Sequence, residues 1–419
     1  MMKNKAQLTI PINIVTIFQI FTVLLFFVGP IEHKLNNPYL DFFYLLAVIL
    51  SLRLGYYSYI RSSKFLLHVQ KNEEDDNIDE GLTKKQLRRF DLVCILYFSA
   101  AVLMLISRTG SFSISLSTFA NLGDAYYNRG STNLLYERII VLLSPIMTMF
   151  IPYGMRQWKW LKVKRRIVFL FLILFRVLVD AVQGINKSFA DLVIFLLIYG
   201  IFIYARNTVK QGQGLRKFIK RLTKVAFLVG ICGALFLMFF SINIMSRTSL
   251  ELDQRQSGIH YIISYLTEGY QAVDYSLTQP FTSTYGLGNS LYLLSAIDSE
   301  YLFMRTYLMK NELLYGWDYY TNWSSLYVWI GNDVSMLGVI PVMFLIGRLF
   351  AKTWSEALYL KNNLASLIVS GLLFQLCLYS SANNQIVQIQ IAFVGTWFWL
   401  LYWLLHKRVK ITFRKRNIL

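Results

Sequence analysis

IPINIVTIFQIFTVLLFFVG, residues 10–29, runs for 20 residues without a charged side chain. A hydrocarbon core of roughly 30 Å is crossed by about 20 apolar residues wound as an α-helix. In lipid a helix satisfies its own backbone hydrogen bonds, so such a run reads as helix and not strand. Lys3 and Lys5 precede it, as in a signal peptide, but no cleavage pattern of small residues follows. The reading is an uncleaved first helix.

Working outward, further apolar runs fall at 39–59, 90–107, 134–155, 167–183, 188–205, 224–243, 324–350, 364–380 and 386–405. Composition agrees: 55% of the chain is hydrophobic and 16% charged, against roughly 25% charged in soluble domains. The net charge of +19 is not gathered on one soluble face, which excludes a nucleic-acid binder. It lies in the short segments between runs. Counted over alternate connections, 30 Lys and Arg fall on one side and 8 on the other. The positive-inside rule then gives ten spans with both termini in the cytoplasm. The expected fold class is all-α, a polytopic bundle of about ten transmembrane helices. Its parts are helices one to seven within 1–243, a large extracytoplasmic loop over 244–323, and helices eight to ten with a basic tail over 324–419. Cys94, Cys232 and Cys377 each sit inside an apolar run, with no disulfide or metal spacing.

The external stretch of about 80 residues is the element a simple bundle does not need. It is rich in Tyr, with four basic and eight acidic residues, and Pro280, Gly286 and Gly288 divide it. Residues 251–277 read as an amphipathic helix with Ile259, Ile262, Ile263 and Leu266 on one side. Residues 288–297 are apolar but too short to span, and read as an interfacial or re-entrant segment.

YLTEGYQAVDYSL (265–277), QPFTSTYGLGNSLYL (279–293) and WSSLYVWIGNDVSMLGVIPVMFLIGRLF (323–350) follow one another in that order after Arg247 and Arg255. This succession resembles the O-antigen polymerases, the oligosaccharide repeat unit polymerases of bacterial membranes. The likeness extends to length, helix number and the place of the loop, and is most specific over 247–350. Where many relatives carry N-x-Y-T this chain has Asn322-Trp-Ser-Ser, and where they carry D-F-G it has Asp333-Val-Ser.

The resemblance implies a GT-C-like membrane glycosyltransferase of O-antigen, lipopolysaccharide or other polysaccharide biosynthesis. It would transfer the growing glycan from an undecaprenyl-pyrophosphate donor onto a new lipid-linked repeat unit, at the outer side of the bacterial inner (cytoplasmic) membrane. Its partners would be that lipid-linked oligosaccharide, membrane lipid and a chain-length regulator protein, with no nucleic acid, no cofactor and no metal. A flippase for the same lipid-linked oligosaccharide and an O-antigen ligase are the alternatives. Concentration of polar residues in one long loop favours the enzyme over the flippase.

Three needs select the candidate residues. A leaving pyrophosphate needs guanidinium groups near headgroup level. Arg247 and Arg255 fit, although Arg255 also has Glu251 at i,i+4 spacing. Arg305, Arg108, Arg129 and Lys187 are further external cations for phosphate or glycan, with Lys187–Asp191 and Arg176–Asp180 spaced for mutual neutralisation. The attacking hydroxyl needs a base. His260, the only His of the loop, and Glu268, eight residues on, share a helical face, and Asp333 is an ionisable group expected inside helix eight. Sugars need flat faces and hydrogen-bonding groups, for which Tyr265, Tyr270 and Asn289 are candidates, though Tyr is also common at membrane interfaces.

Overall fold

The computed structural model describes residues 5–62, 82–109, 134–182, 187–211, 230, 258–297, 300–319, 322–360 and 363–416. Within them the regular structure is helical: α1 (Lys5–Val28), α2 (Pro38–Arg61), α3 (Lys84–Thr109), α4 (Leu134–Gln157), α5 (Val163–Val182), α6 (Lys187–Gln211), α7 (Gly258–Leu277), α8 (Leu291–Ile297), α9 (Glu300–Met304), α10 (Tyr307–Tyr315), α11 (Leu326–Val334), α12 (Met336–Tyr359), α13 (Leu364–Leu378) and α14 (Gln390–Arg416). A short 3-10 turn, Trp158–Trp160, follows α4.

Among the described residues, six stretches are long and apolar enough to cross a membrane: Gln7–Val28, Pro38–Arg61, Lys84–Ser107, Leu134–Trp160, Lys187–Arg206 and Met336–Tyr359. The chain is a helical, multi-pass membrane protein. Large apolar side chains also face outward along these helices, including Ile17, Phe21, Leu24, Leu50, Leu54 and Leu345. In water that exposure would be costly; against lipid tails it costs nothing. The expected spans at 167–183 and 386–405 lie on α5 and α14, and the run at 364–380 forms the 15-residue α13. The expected span at 224–243 lies, but for Gly230, outside the described residues.

One boundary moves. The apolar run at 324–350 is not one helix. It breaks at Ser335, whose φ is +71°, between α11 and α12. The Ser335 hydroxyl accepts from the Gly338 N–H at 3.2 Å, so it starts α12 as an N-cap. The spanning helix therefore begins at Met336, and Asp333 lies before it and not within it.

The chain divides into two compact units. The first holds residues 1–74, 259–361 and 372–393. Its spine is the pairing of α2 with α12, which approach at two glycines. A Cβ on Gly55 would lie 1.9 Å from the Phe344 carbonyl oxygen, and one on Gly347 2.0 Å from that of Leu52. Small residues let helix backbones meet where the surrounding solvent is hydrocarbon. Ser51 adds a hydroxyl bond to the Ile340 carbonyl at 2.6 Å, and Tyr44 one to Met336 at 2.8 Å. The start of α1 is tied in by Tyr56, donating to the Leu8 carbonyl, and by the Trp354 indole, donating to Gln7 at 3.2 Å.

The second unit holds 75–258, 362–371 and 394–419. Its core is aromatic: Tyr97 stacks on Phe150 with centroids 3.8 Å apart, and Phe150 meets Phe169 at 5.0 Å. Arg165 grips Asp91 with two bonds of 2.8 Å.

Candidate functional site

Helix α7 is amphipathic, and it presents His260, Ser264 and Glu268 at successive i,i+4 positions. All three are partly exposed. The Glu268 carboxylate accepts from the Ser264 hydroxyl at 3.4 Å and from the backbone N–H of Trp323. Burial outweighs both bonds and pushes its pKa up to about 7. Tyr265, one turn back, packs its ring 5.3 Å from that of Trp323. A carboxylate that changes charge near neutrality thus stands beside aromatic rings, with an imidazole two turns away on the same helix.

The opposite side of α7 is fixed to the unit by close contacts. Gly269 has no room for a side chain: a Cβ there would lie 2.1 Å from the Ser381 carbonyl oxygen and 2.8 Å from the Ser325 nitrogen. Tyr270 is fully buried, its hydroxyl 3.0 Å from that of Thr22 and its ring against Phe26 and Tyr327. Asp274, also buried, accepts the N–H groups of Asn36 and Asn37 at 2.7 and 3.0 Å and so ties α7 to the start of α2. Gln271 meets His33 Nδ1 at 3.2 Å. Burial lowers the His33 pKa, against the raising effect of Gln271. Nothing in the sequence pattern marks these pairs, because Asp274 and Asn36 are 238 residues apart.

A second polar centre is built around Asn332 and Asp333, at the end of α11. Asp333 accepts from the Thr284 hydroxyl, from the Gly288 N–H at 2.9 Å and from the Asn289 amide at 3.0 Å. Asn332 accepts the Tyr307 N–H at 2.8 Å and donates to the Gly288 carbonyl at 2.8 Å, while its own carbonyl lies 2.8 Å from the Thr284 hydroxyl and shares that one hydrogen with Asp333. Gly288 is required there, since a Cβ would lie 2.2 Å from Thr284 Oγ1.

These bonds hold Thr284–Leu287 as a tight turn, closed by Leu287 N–H to the Thr284 carbonyl at 3.1 Å. Both central residues have positive φ, +59° at Tyr285 and +85° at Gly286, as in the type I′ class. Glycine adopts that backbone freely; for a tyrosine it costs on the order of 1 kcal/mol or more.

Two cations brace the same segment. Arg305 donates Nε–H to the Ser283 carbonyl at 2.8 Å and Nη1–H to the Tyr301 hydroxyl at 2.5 Å. Lys310 donates to the Pro280 carbonyl and to Thr282 Oγ1, each at 2.7 Å. Burial, and next the Arg305 charge, lower the Lys310 pKa.

Glu268, Asp333, Asn289, Arg305, Tyr265, Tyr270 and His260 all belong to the first unit. Lys187 belongs to the second, where it sits 3.9 Å from Asp191; nearby in sequence, Arg176 meets Asp180 at 2.6 Å. Arg129, Arg247 and Arg255 lie outside the described residues, as does the side chain of Arg108. Sequence reasoning passed over Asn332, Thr284 and Lys310 as elements of a site, whereas Tyr285 is one of the loop tyrosines it offers as sugar-stacking faces. The bonds of the first three run mostly to main-chain atoms and leave no spacing signature. No family model, no curated protein and no solved structure matches the chain.

Proposed function

We propose that the protein is a membrane glycosyltransferase of the repeat-unit polymerase type, acting at the outer face of the bacterial inner membrane with ten spans and both termini in the cytoplasm. The observation that carries the reading is Glu268, a half-buried carboxylate with a pKa near 7, flanked by Tyr265 and Trp323. General bases work best when their pKa lies near the working pH. Motif order over 247–350 supplies the reaction class, and the charge split of the connections supplies the orientation.

In this mechanism the terminal hydroxyl of one lipid-linked repeat gives its proton to the Glu268 carboxylate as its oxygen attacks the anomeric carbon of the donor glycan. The bond from that carbon to the pyrophosphate oxygen breaks, and the polyprenyl pyrophosphate leaves with the electron pair. Arg247 and Arg255 are the groups assigned to the negative charge that develops there. Tyr265 and Trp323 offer ring faces to the acceptor sugar. His260, two turns away on the same helical face, is the group assigned to onward proton transfer. Asp333 keeps the 280–290 segment in shape through three accepted bonds.

The test is reconstitution in liposomes with a synthetic undecaprenyl-pyrophosphate repeat unit. A ladder of lengthened, lipid-linked glycans is expected, lost in Glu268→Gln and in Arg247→Ala with Arg255→Ala, while each variant inserts normally. Substrate that changes leaflet without lengthening would replace the polymerase with a flippase. Transfer of finished glycan to a different acceptor, with no ladder, would replace it with a ligase.

A further inference from the structure

Arg305 is layered between two tyrosines that the fold leaves in the open. Its guanidinium carbon stands 5.2 Å from the Tyr285 ring centroid and 5.1 Å from that of Tyr301. Those two side chains are 68% and 64% exposed. Tyr285 is the residue held at φ +59° by the Asp333 and Asn332 bonds, in a turn position where Asn, Asp or Gly carries no strain. A bulky aromatic forced into the left-handed region, yet with its ring in the open and not in a core, points to a use for the ring.

Charge points the same way. Arg305 and Lys310 are close enough for one to lower the pKa of the other, and among the described residues no carboxylate oxygen comes within ion-pair distance of either. Of the five guanidinium N–H donors of Arg305, one on Nε and one on Nη1 are used. The others have no partner among the described residues. Two adjoining cations with no counter-ion among the described residues, edged by exposed rings, fit a ligand with both a flat apolar face and a negative charge.

We propose that Tyr285, Arg305 and Tyr301 form a binding subsite for an anionic pyranose, a sugar ring carrying a carboxylate. The C–H face of the ring stacks on Tyr285, and the free guanidinium hydrogens of Arg305 take the carboxylate. Lys310 adds long-range attraction and keeps the Pro280–Thr282 segment against the site. The inference rests on the glycosyltransferase reading only for what presents the sugar, a residue of the acceptor repeat. The binding itself stands apart from turnover.

The experiment is titration of the full-length protein in nanodiscs of zwitterionic lipid with a galacturonate trisaccharide and with the neutral galactose trisaccharide. Binding of the charged sugar at least about tenfold tighter is expected, a difference that corresponds to one good guanidinium–carboxylate contact. Tyr285→Gly removes the ring while suiting the backbone. It should weaken the charged sugar about tenfold while thermal stability holds or rises, a combination that a structural tyrosine does not give. Arg305→Gln should erase the preference for charge. Glu268→Gln, which stops turnover under the proposed mechanism, should bind as the parent does, so failure of the polymerase reading leaves this result standing. Equal affinity for the two sugars would overturn the subsite. So would wild-type binding by Tyr285→Gly. Loss of the charged sugar on adding anionic lipid to the nanodiscs would reassign the cations to a lipid headgroup phosphate and overturn it as well.

Discussion

Glu268 combines two properties that conflict in an ordinary surface carboxylate: it is half withdrawn from water and it still must ionise. Burial raises its folded pKa from 4.5 to about 7, so the folded state holds a proton that the unfolded chain has already released. Stability from this group is therefore full below pH 4.5 and falls as pH rises toward 7. Glu268→Gln should accordingly stabilise the protein at pH 8, by up to about 3 kcal/mol before solvent screening reduces it. The same variant should abolish glycan transfer. In the parent protein the transfer rate should climb through pH 7 and level off above it, as a base with that pKa requires. Rates measured across that range, with thermal melts at both ends, check both signs at once. Asp333 is the contrasting case, a carboxylate that accepts from the Thr284 hydroxyl, the Gly288 N–H and the Asn289 amide. Asp333→Asn sets one amide against another and should cost about 1–3 kcal/mol. Hydrogen exchange should show the 284–290 turn opening while the helices stay protected.

At the scale of elements, the helices depend on features that differ in how plainly they are written in the chain. Runs such as 10–29 and 188–205 are legible because lipid leaves few alternatives to a helix of that length. The amphipathic helix over α7 is legible for the same kind of reason, a 3.6-residue period. The division at Ser335 is not. Its neighbours are apolar on both sides, and only the hydroxyl bond to Gly338 and the positive φ reveal that one helix stops and another starts. That break lifts Asp333 out of the span in which sequence alone had put it. Nor is the α2–α12 spine legible, since Gly55 and Gly347 are 292 residues apart and meet only in the fold. Filling either should be expensive, because the obstacle is a main-chain carbonyl that cannot rotate away. Gly347→Val should destabilise the first unit by about 1–3 kcal/mol or more, read as a lowered midpoint in detergent melts. Gly286→Ala, where no atom lies within 4 Å, meets only the backbone strain of a positive φ.

For the whole molecule, the question is which face each loop occupies. Thirty cationic side chains on one set of connections against eight on the other predict a definite answer. Ser295→Cys, on the exposed side of α8, should react with a membrane-impermeant maleimide added to intact cells. Asn417→Cys, in the basic tail, should react only after the cells are opened. Labelling of the tail from outside would reverse the orientation and move the Glu268 face to the cytoplasm. Of the candidate site, the sequence yielded the residue types suited to the chemistry, Glu268, His260, Asp333 and Arg305. It did not yield their surroundings, because Trp323, whose N–H meets Glu268, and Asp333, which fastens the Tyr285 turn at Gly288, lie more than 40 residues from the groups they hold.

The fastening of the 280–290 segment bears on how such a protein changes over generations. Arg305 holds the Ser283 carbonyl, Lys310 that of Pro280, Asn384 that of Asn289, and Ser290 reaches the carbonyl of Val387. Every acceptor in that series is a peptide group, present whatever side chain the codon specifies. The shape of the turn is thus inherited separately from most of its letters. Drift can rewrite most of Pro280–Ser283 and the stretch around Val387, Thr282 excepted because its hydroxyl accepts from Lys310, while a handful of anchors, Gly288, Asn332, Asp333 and Arg305, keep the architecture unaltered. Lineages built this way diverge in text far sooner than in form.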